Sequence, residues 1–169
     1  MGMTATQIVN DVMQRAVDII NEEMLQSLTR LGEESVARIR TRSMAESWID
    51  HTGNLRSSIG YAVFEHGRKV IGSSFDALAG PEGNGTAGSK AGEKYLETLA
   101  AQYAKTYALV VVAGMDYAGY VEAIEGKDVL ASTEIWAKDK VDRYLSDAKE
   151  RAEVRINAII HQYEDRKRN

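Results

Sequence analysis

Several groups of residues are of types that could do chemistry. The run Gly80 to Lys94 (GPEGNGTAGSKAGEK) has closely spaced glycines that could turn backbone N–H groups toward a phosphate. A phosphate-binding loop needs lysine directly after its last glycine and a hydroxyl residue next; Gly88-Ser89-Lys90 inserts a residue, so a flexible loop is the plainer reading. Asp50, His51, Ser57 and Ser58 supply acid, base and nucleophile types close together, but without the glycine pattern of a nucleophile elbow. His51, His66 and His161 each have polar neighbours and read as surface residues rather than ligands or bases. Glu122, Glu125 and Asp128 could offer oxygens to a hard cation, yet their spacing matches no calcium loop and a solvated turn accounts for them. The basic end Arg166-Lys167-Arg168 could meet phosphate, and equally complements the negative end of a helix. The expectation is a protein with no catalytic, cofactor-binding or metal-binding constellation, hence not an enzyme.

The elements that would carry these residues can be read from periodicity. Ile8, Val12, Ile19, Leu25, Leu28 and Leu31 recur at helical steps and predict a long first helix, whose apolar positions come in consecutive pairs (Ile8-Val9, Val12-Met13, Ile19-Ile20). Such a face is broader than a coiled-coil seam and suits contact with more than one surface. Gly32 is expected to interrupt this pattern, with a second helical stretch through Val36, Ile39, Met44 and Trp48 up to the turn Thr52-Gly53-Asn54. Ser58 to Phe64 and Lys69 to Gly72, separated by His66-Gly67-Arg68, predict a β-hairpin. Residues 73–93 hold many small residues and the only proline, which predicts a flexible Gly-rich loop. Tyr95 to Tyr103 return to helical spacing, the β-branched run Tyr107 to Ala113 predicts a central strand, and Tyr117 to Gly126 a short helix. A long amphipathic helix starting near Ser132 or Thr133 closes the chain. Helices, then strands, then a helix predict an α+β fold, with long N-terminal and C-terminal helices packed on a small, mostly antiparallel β-sheet.

Bulk properties narrow the class. The 169 residues, 44% hydrophobic and 27% charged, fit one domain over 1–169 with a modest core. There are no cysteines, which removes disulfides and thiolate metal sites. A net charge of −4 gives no long-range attraction for nucleic acid, so no sequence-specific DNA or RNA reader is expected. The longest apolar run, Ala108 to Gly114, is too short to span a bilayer, and the start lacks the layout of a secretion signal; the chain is expected to stay soluble inside the cell that makes it, away from membranes. Met1, Gly2 and Thr6 satisfy the loose myristoylation pattern, but an unstructured start explains them as well.

Two segments are informative together. Thr52-Gly53-Asn54-Leu55-Arg56-Ser57-Ser58-Ile59 follows a predicted helix, and Asp116-Tyr117-Ala118-Gly119-Tyr120-Val121-Glu122 follows a predicted strand. Gly53 permits positive φ at the turn into the sheet, Leu55 and Ile59 are spaced to anchor that turn, and Tyr117, Tyr120 and Val121 can bury apolar bodies while the hydroxyls reach polar partners. The first segment resembles the TG-x-L-x-x-S-I element, and the second the Y-A-x-Y-V-E element, of tailed-bacteriophage head-tail joining and tail-completion (minor tail, neck) proteins. The matching positions are Thr52, Gly53, Leu55, Ser58 and Ile59, and Tyr117, Ala118, Tyr120, Val121 and Glu122. The chain departs from that family after Glu122, where Ala123-Ile124-Glu125-Gly126-Lys127 replaces an aromatic residue, glycine and threonine, and residues 73–107 look like an insertion. The resemblance implies a virion assembly protein made in the host bacterial cytoplasm. It implies copies that form a homo-oligomeric ring in the neck or tail, touching the connector or adaptor and the tail-tube or tail-terminator proteins. Genome DNA would pass through that ring, and no cofactor would be needed. A helical protein-protein interaction or regulatory module is the alternative that the two long amphipathic helices leave open.

Overall fold

The structure, a computed structural model, describes residues 4–43, 47–124 and 127–168. The myristoylation reading at Met1 and Gly2, and the expectations placed on Met44, Glu125 and Gly126, fall outside those residues. The protein is α+β. Its elements run α1 (Ala5–Arg40), α2 (Asn54–Ser57), β1 (Ile59–Glu65), β2 (Arg68–Gly72), α3 (Thr86–Thr98), a 3-10 turn (Ala100–Tyr103), β3 (Tyr107–Ala113), α4 (Ala118–Ala123) and α5 (Ala131–Arg168). Among the described residues no helix is long and apolar enough to cross a membrane. The chain divides into two compact units: one of residues 1–28 with 141–169, the other of residues 29–140.

Within the unit of residues 29–140 the sheet is fully antiparallel, in the order β2-β1-β3. The hairpin turn places His66 at φ 48° and Gly67 at φ 81°, the two successive positive angles that let a two-residue turn follow the twist of its strands. The run Tyr107 to Ala113 is a strand over the predicted residues, but an edge strand rather than the central one. The centre belongs to β1, which pairs on both sides and is buried from Ile59 through Phe64. Side chains alternate across β1. Ala62 and Phe64 pack with Leu96 of α3 and Val112 of β3, joined by Phe75, Leu99 and Tyr103, and the Phe64 and Tyr103 rings stack at 5.7 Å. Tyr61, on the other face, meets α1 at Gly32.

That contact explains why Gly32 does not end the helix. A Cβ at position 32 would lie 2.3 Å from the Tyr61 ring, so the glycine makes room for the sheet while α1 runs on to Arg40. The expected second helical stretch is absent from the described residues after Thr41, and Trp48 is buried in irregular chain. A similar correction holds for residues 73–93. Only 73–85 lack a regular element, since α3 starts at Thr86. The glycines here are places of close approach: a Cβ on Gly80 would sit 2.4 Å from the His51 carbonyl oxygen, and one on Gly88 1.8 Å from that of Asn54. The segment is pinned by Glu82 N–H to His51 O at 2.7 Å and Gly85 N–H to Thr52 O at 3.1 Å.

The unit of residues 1–28 and 141–169 consists of the first part of α1 and the last part of α5. Glu23 pairs with Arg151 and Arg155, and Asp11 accepts a hydrogen bond from the Tyr163 hydroxyl, so the two segments run antiparallel. The Glu23 carboxylate is buried, receiving Arg151 Nε at 2.7 Å and a nitrogen of Arg155 at 2.8 Å. Hydrogen bonds from Arg151 first, and Arg155 next, hold its pKa below the ordinary 4.5. A depressed carboxyl favours the folded form above its unfolded pKa and loses that contribution as pH falls through the folded value. The wild-type protein is therefore expected to lose helical stability progressively as pH falls below the ordinary carboxyl range, whereas Glu23→Gln, already less stable at neutral pH, shows a flatter profile. Thermal melts followed by circular dichroism at a series of pH values check this.

Candidate functional site

Register brings the two recognised segments together. β1 pairs with β3 so that Ile59 faces Ala113, which means the residues just before β1 and just after β3 emerge at the same end of the sheet. The Gly114 N–H then donates to Ser58 O at 3.0 Å, continuing the ladder one step beyond the strands.

The first segment is a one-turn knot. Gly53 stands at φ 74°, where a glycine is needed, and its missing Cβ leaves space for the Leu78 carbonyl oxygen. Leu55 and Ile59 are fully buried, as their spacing predicts. Ser57 Oγ donates to Gly53 O at 2.6 Å and accepts the Leu78 N–H at 2.8 Å, while Ser58 Oγ donates to Leu55 O at 2.8 Å. Both hydroxyls are buried and committed to backbone, so neither is placed as a nucleophile. Thr52 Oγ1 accepts the Asn54 N–H, and Asn54 Oδ1 accepts the Gly88 N–H at the start of α3. Asp50 accepts the Arg56 N–H at 2.7 Å, and exposed His51 lies 3.1 Å from Glu82; Asp50, His51, Ser57 and Ser58 do not form a relay.

Arg56 is the residue that sequence reasoning missed. Its guanidinium donates to the carbonyls of Arg40 (2.8 Å), Ile39 (3.4 Å) and Trp48 (3.4 Å) and to Ser47 Oγ (3.0 Å), and it lies 4.6 Å over the Trp48 ring. It closes the C-terminal end of α1, where the last carbonyls have no partner inside the helix. Its place between Leu55 and Ser58 carried no signal, because an arginine in a polar turn reads as solvated.

The second segment divides between packing and exposure. Ala118 is buried, but Tyr117 does not bury its ring as expected and stands 38% exposed; the burial it retains first, and the Asp50 carboxylate next, raise its phenol above the ordinary pKa, against a hydrogen bond from Thr52. Tyr117 thus joins the second segment to the first. Tyr120 does not bury its ring as expected but stands 74% exposed, Ile124 just after this short helix is exposed too, and Val121 is half-buried. An open groove of about 440 Å³ is lined by Tyr95, Leu99 and Tyr103, by Val110 to Ala113 and by Ala118 and Gly119.

Glu122 and Asp128 are spent on protein contacts rather than gathered for a cation. Glu122 accepts the N–H groups of Val129 (3.1 Å), Leu130 (2.7 Å) and Ala131 (3.3 Å), the unpaired donors at the start of α5. Asp128 accepts Ser132 N–H and pairs with Arg42 at 2.6 Å; burial pushes its carboxyl up, but the bonds from Ser132 and Arg42 outweigh that and hold it low. Among the described residues no group of three acidic, histidine or cysteine side chains is arranged to hold a metal. Glu122→Ala should cost about 1–2 kcal/mol of stability through loss of this cap, with Glu122→Gln losing less because its amide oxygen still accepts. Urea denaturation of the two variants beside the wild type measures the difference.

Comparison with family models, with curated proteins and with solved structures finds no match to this chain.

Proposed function

We propose that this protein is a structural component of a tailed-phage virion, a ring-forming neck or tail-completion protein that joins the head connector to the tail tube or finishes the tail. The observation that carries the reading is the pairing of Thr52–Ile59 with Tyr117–Glu122, two elements of one family's pattern in that family's order, which antiparallel register places side by side. Their roles support assembly rather than catalysis. The hydroxyls of Ser57 and Ser58 are tied to backbone, Glu122 caps α5, and Tyr120 is offered to solvent. An exposed tyrosine is a suitable anchor for a neighbouring subunit, because it buries a large ring at low entropic cost. On this reading the partners are copies of the chain, the connector or adaptor and the tail-tube or tail-terminator proteins. The site of action is the virion neck or tail, after assembly in the bacterial cytoplasm, with no cofactor, and the negative net charge suits a channel through which DNA passes without sticking.

Negative-stain electron microscopy of the purified protein, alone and mixed with tail tubes and connectors, tests the proposal, with light scattering for mass. Annular particles, or decoration of tube ends or connectors, are expected, and Tyr120→Ala should weaken them. A protein that forms no ring and binds neither structure overturns the proposal. It would leave the interaction-module reading, which the exposed apolar positions of the helical unit favour.

A further inference from the structure

Among the described residues, the unit of residues 1–28 and 141–169 has two helices, and two helices can each bury one stripe. On α1 the inward stripe is Ile8, Val12, Ile19, Glu23 and Ser27, of which Ile19, Glu23 and Ser27 are buried. A second apolar stripe lies beside it and is open: Val9, Met13, Val17 and Ile20 are 49–63% exposed. It leads into a groove of about 320 Å³ between the helices, with Ala148 and Ala152 as floor and Ile20, Met24, Leu145 and Ile156 as walls. The small floor residues leave room for a helix to approach closely.

We propose that this face is the contact between two copies of the chain, which together build an antiparallel four-helix bundle. Two features select a second copy. The first is area: Val9, Met13, Val17, Ile20, Leu145 and Ile160 expose roughly 500 Å² per copy, so a two-fold pair removes about 1,000 Å² from these side chains alone, the size at which specific interfaces begin. The second is charge. The groove's two charged residues, Lys149 and Glu153, have opposite sign, and Asn10 and Asn21 flank the α1 stripe at helical spacing. This neutral face gives a charged partner no attraction and a second copy no like-charge conflict.

The internal register of the unit sets the arrangement. With Glu23 opposite Arg151 and Arg155, and Asp11 opposite Tyr163, Met24 lies level with Ala152 and Ile20 with Ile156. A two-fold axis along the helices lays α1 of one copy antiparallel on α5 of the other without changing these levels, so Ile20 and Met24 meet Ile156 and Ala152 across the interface.

The association does not rest on the neck reading. Sedimentation velocity of the full chain over about 1–100 μM should show a concentration-dependent dimer, which Met13→Lys and Ile20→Lys weaken at least tenfold. Val154→Lys, at a 70% exposed position elsewhere on α5, should leave it unchanged. Because the sequence has no cysteine, Ile20→Cys mixed with Ile156→Cys should give a crossed disulfide on oxidation that neither forms alone. Circular dichroism confirms that each variant keeps its helices. A monomer at every concentration, a dimer insensitive to Ile20→Lys, or one weakened equally by Val154→Lys would overturn the inference. Rings that keep their mass in Ile20→Lys would overturn it while leaving the neck proposal standing.

Discussion

Gly53→Ala is expected to destabilise the protein by about 3 kcal/mol or more, roughly a 10 °C fall in melting temperature for a chain of this size. Two costs combine. The backbone at position 53 has φ 74°, a region where an L-side chain costs about 1–2 kcal/mol. The added Cβ would also lie 1.9 Å from the Leu78 carbonyl oxygen and 2.8 Å from the Gly80 nitrogen, and these are backbone atoms rather than the end of a flexible side chain. Relief requires residues 78–80 to move off the turn, which breaks the Leu78 N–H bond to Ser57 and the Glu82 N–H bond to His51. Gly119→Ala is the control. Its Cβ would meet nothing within 4 Å, and within α4 alanine is the better helix former, so the change should be neutral or stabilise by up to about 1 kcal/mol. Denaturant melts of both variants give the comparison, and equal losses would contradict the role assigned to Gly53.

Arg56→Ala should be as severe, at about 3–5 kcal/mol. The substitution removes a guanidinium that satisfies three carbonyls and the Ser47 hydroxyl, each of which is costly to leave buried without a partner. It also uncovers the Trp48 ring, which is 4% exposed. Burial lowers the Arg56 pKa from its ordinary value, with the Asp50 carboxylate acting in the opposite direction, so this cation sits in partly desolvated surroundings that only its full set of acceptors makes favourable. Arg56→Lys should recover only part of the loss, since an ammonium cannot span the same acceptors with a planar fork. Unfolding free energies measure the cost, and a red shift of the Trp48 emission in the folded variant would report the opening of this corner.

Much of the fold could be read from side-chain spacing, and the failures share a cause. The run Tyr107 to Ala113 and the hairpin around His66-Gly67 carry their own local signals, β-branched residues and a turn that requires positive φ, and both are where those signals place them. Position within the sheet is not local: β1 is central because it pairs with two partners, and its own sequence does not announce that. Glycine is ambiguous in the same way. Gly32, Gly80 and Gly88 are present for lack of a Cβ against a distant neighbour, and only the folded chain separates that use from flexibility. Of the candidate site, Gly53, Leu55 and Ile59 behave as their types predict. Tyr120 could not be read, because an amphipathic side chain serves a core and a surface equally well.

The antiparallel pairing of the first and last segments also sets a timetable for synthesis on the ribosome. The Asp11 to Tyr163 bond closes across 152 positions, and Glu23 meets Arg151 across 128, whereas β1 and β3 pair across 42 to 54. The sheet can assemble as soon as β3 has emerged, but the first part of α1 must wait for the last part of α5. Throughout that interval the apolar residues from Ile8 to Met24 lack the α5 segment they face in the folded protein, so this stretch of α1 is secured later than the sheet.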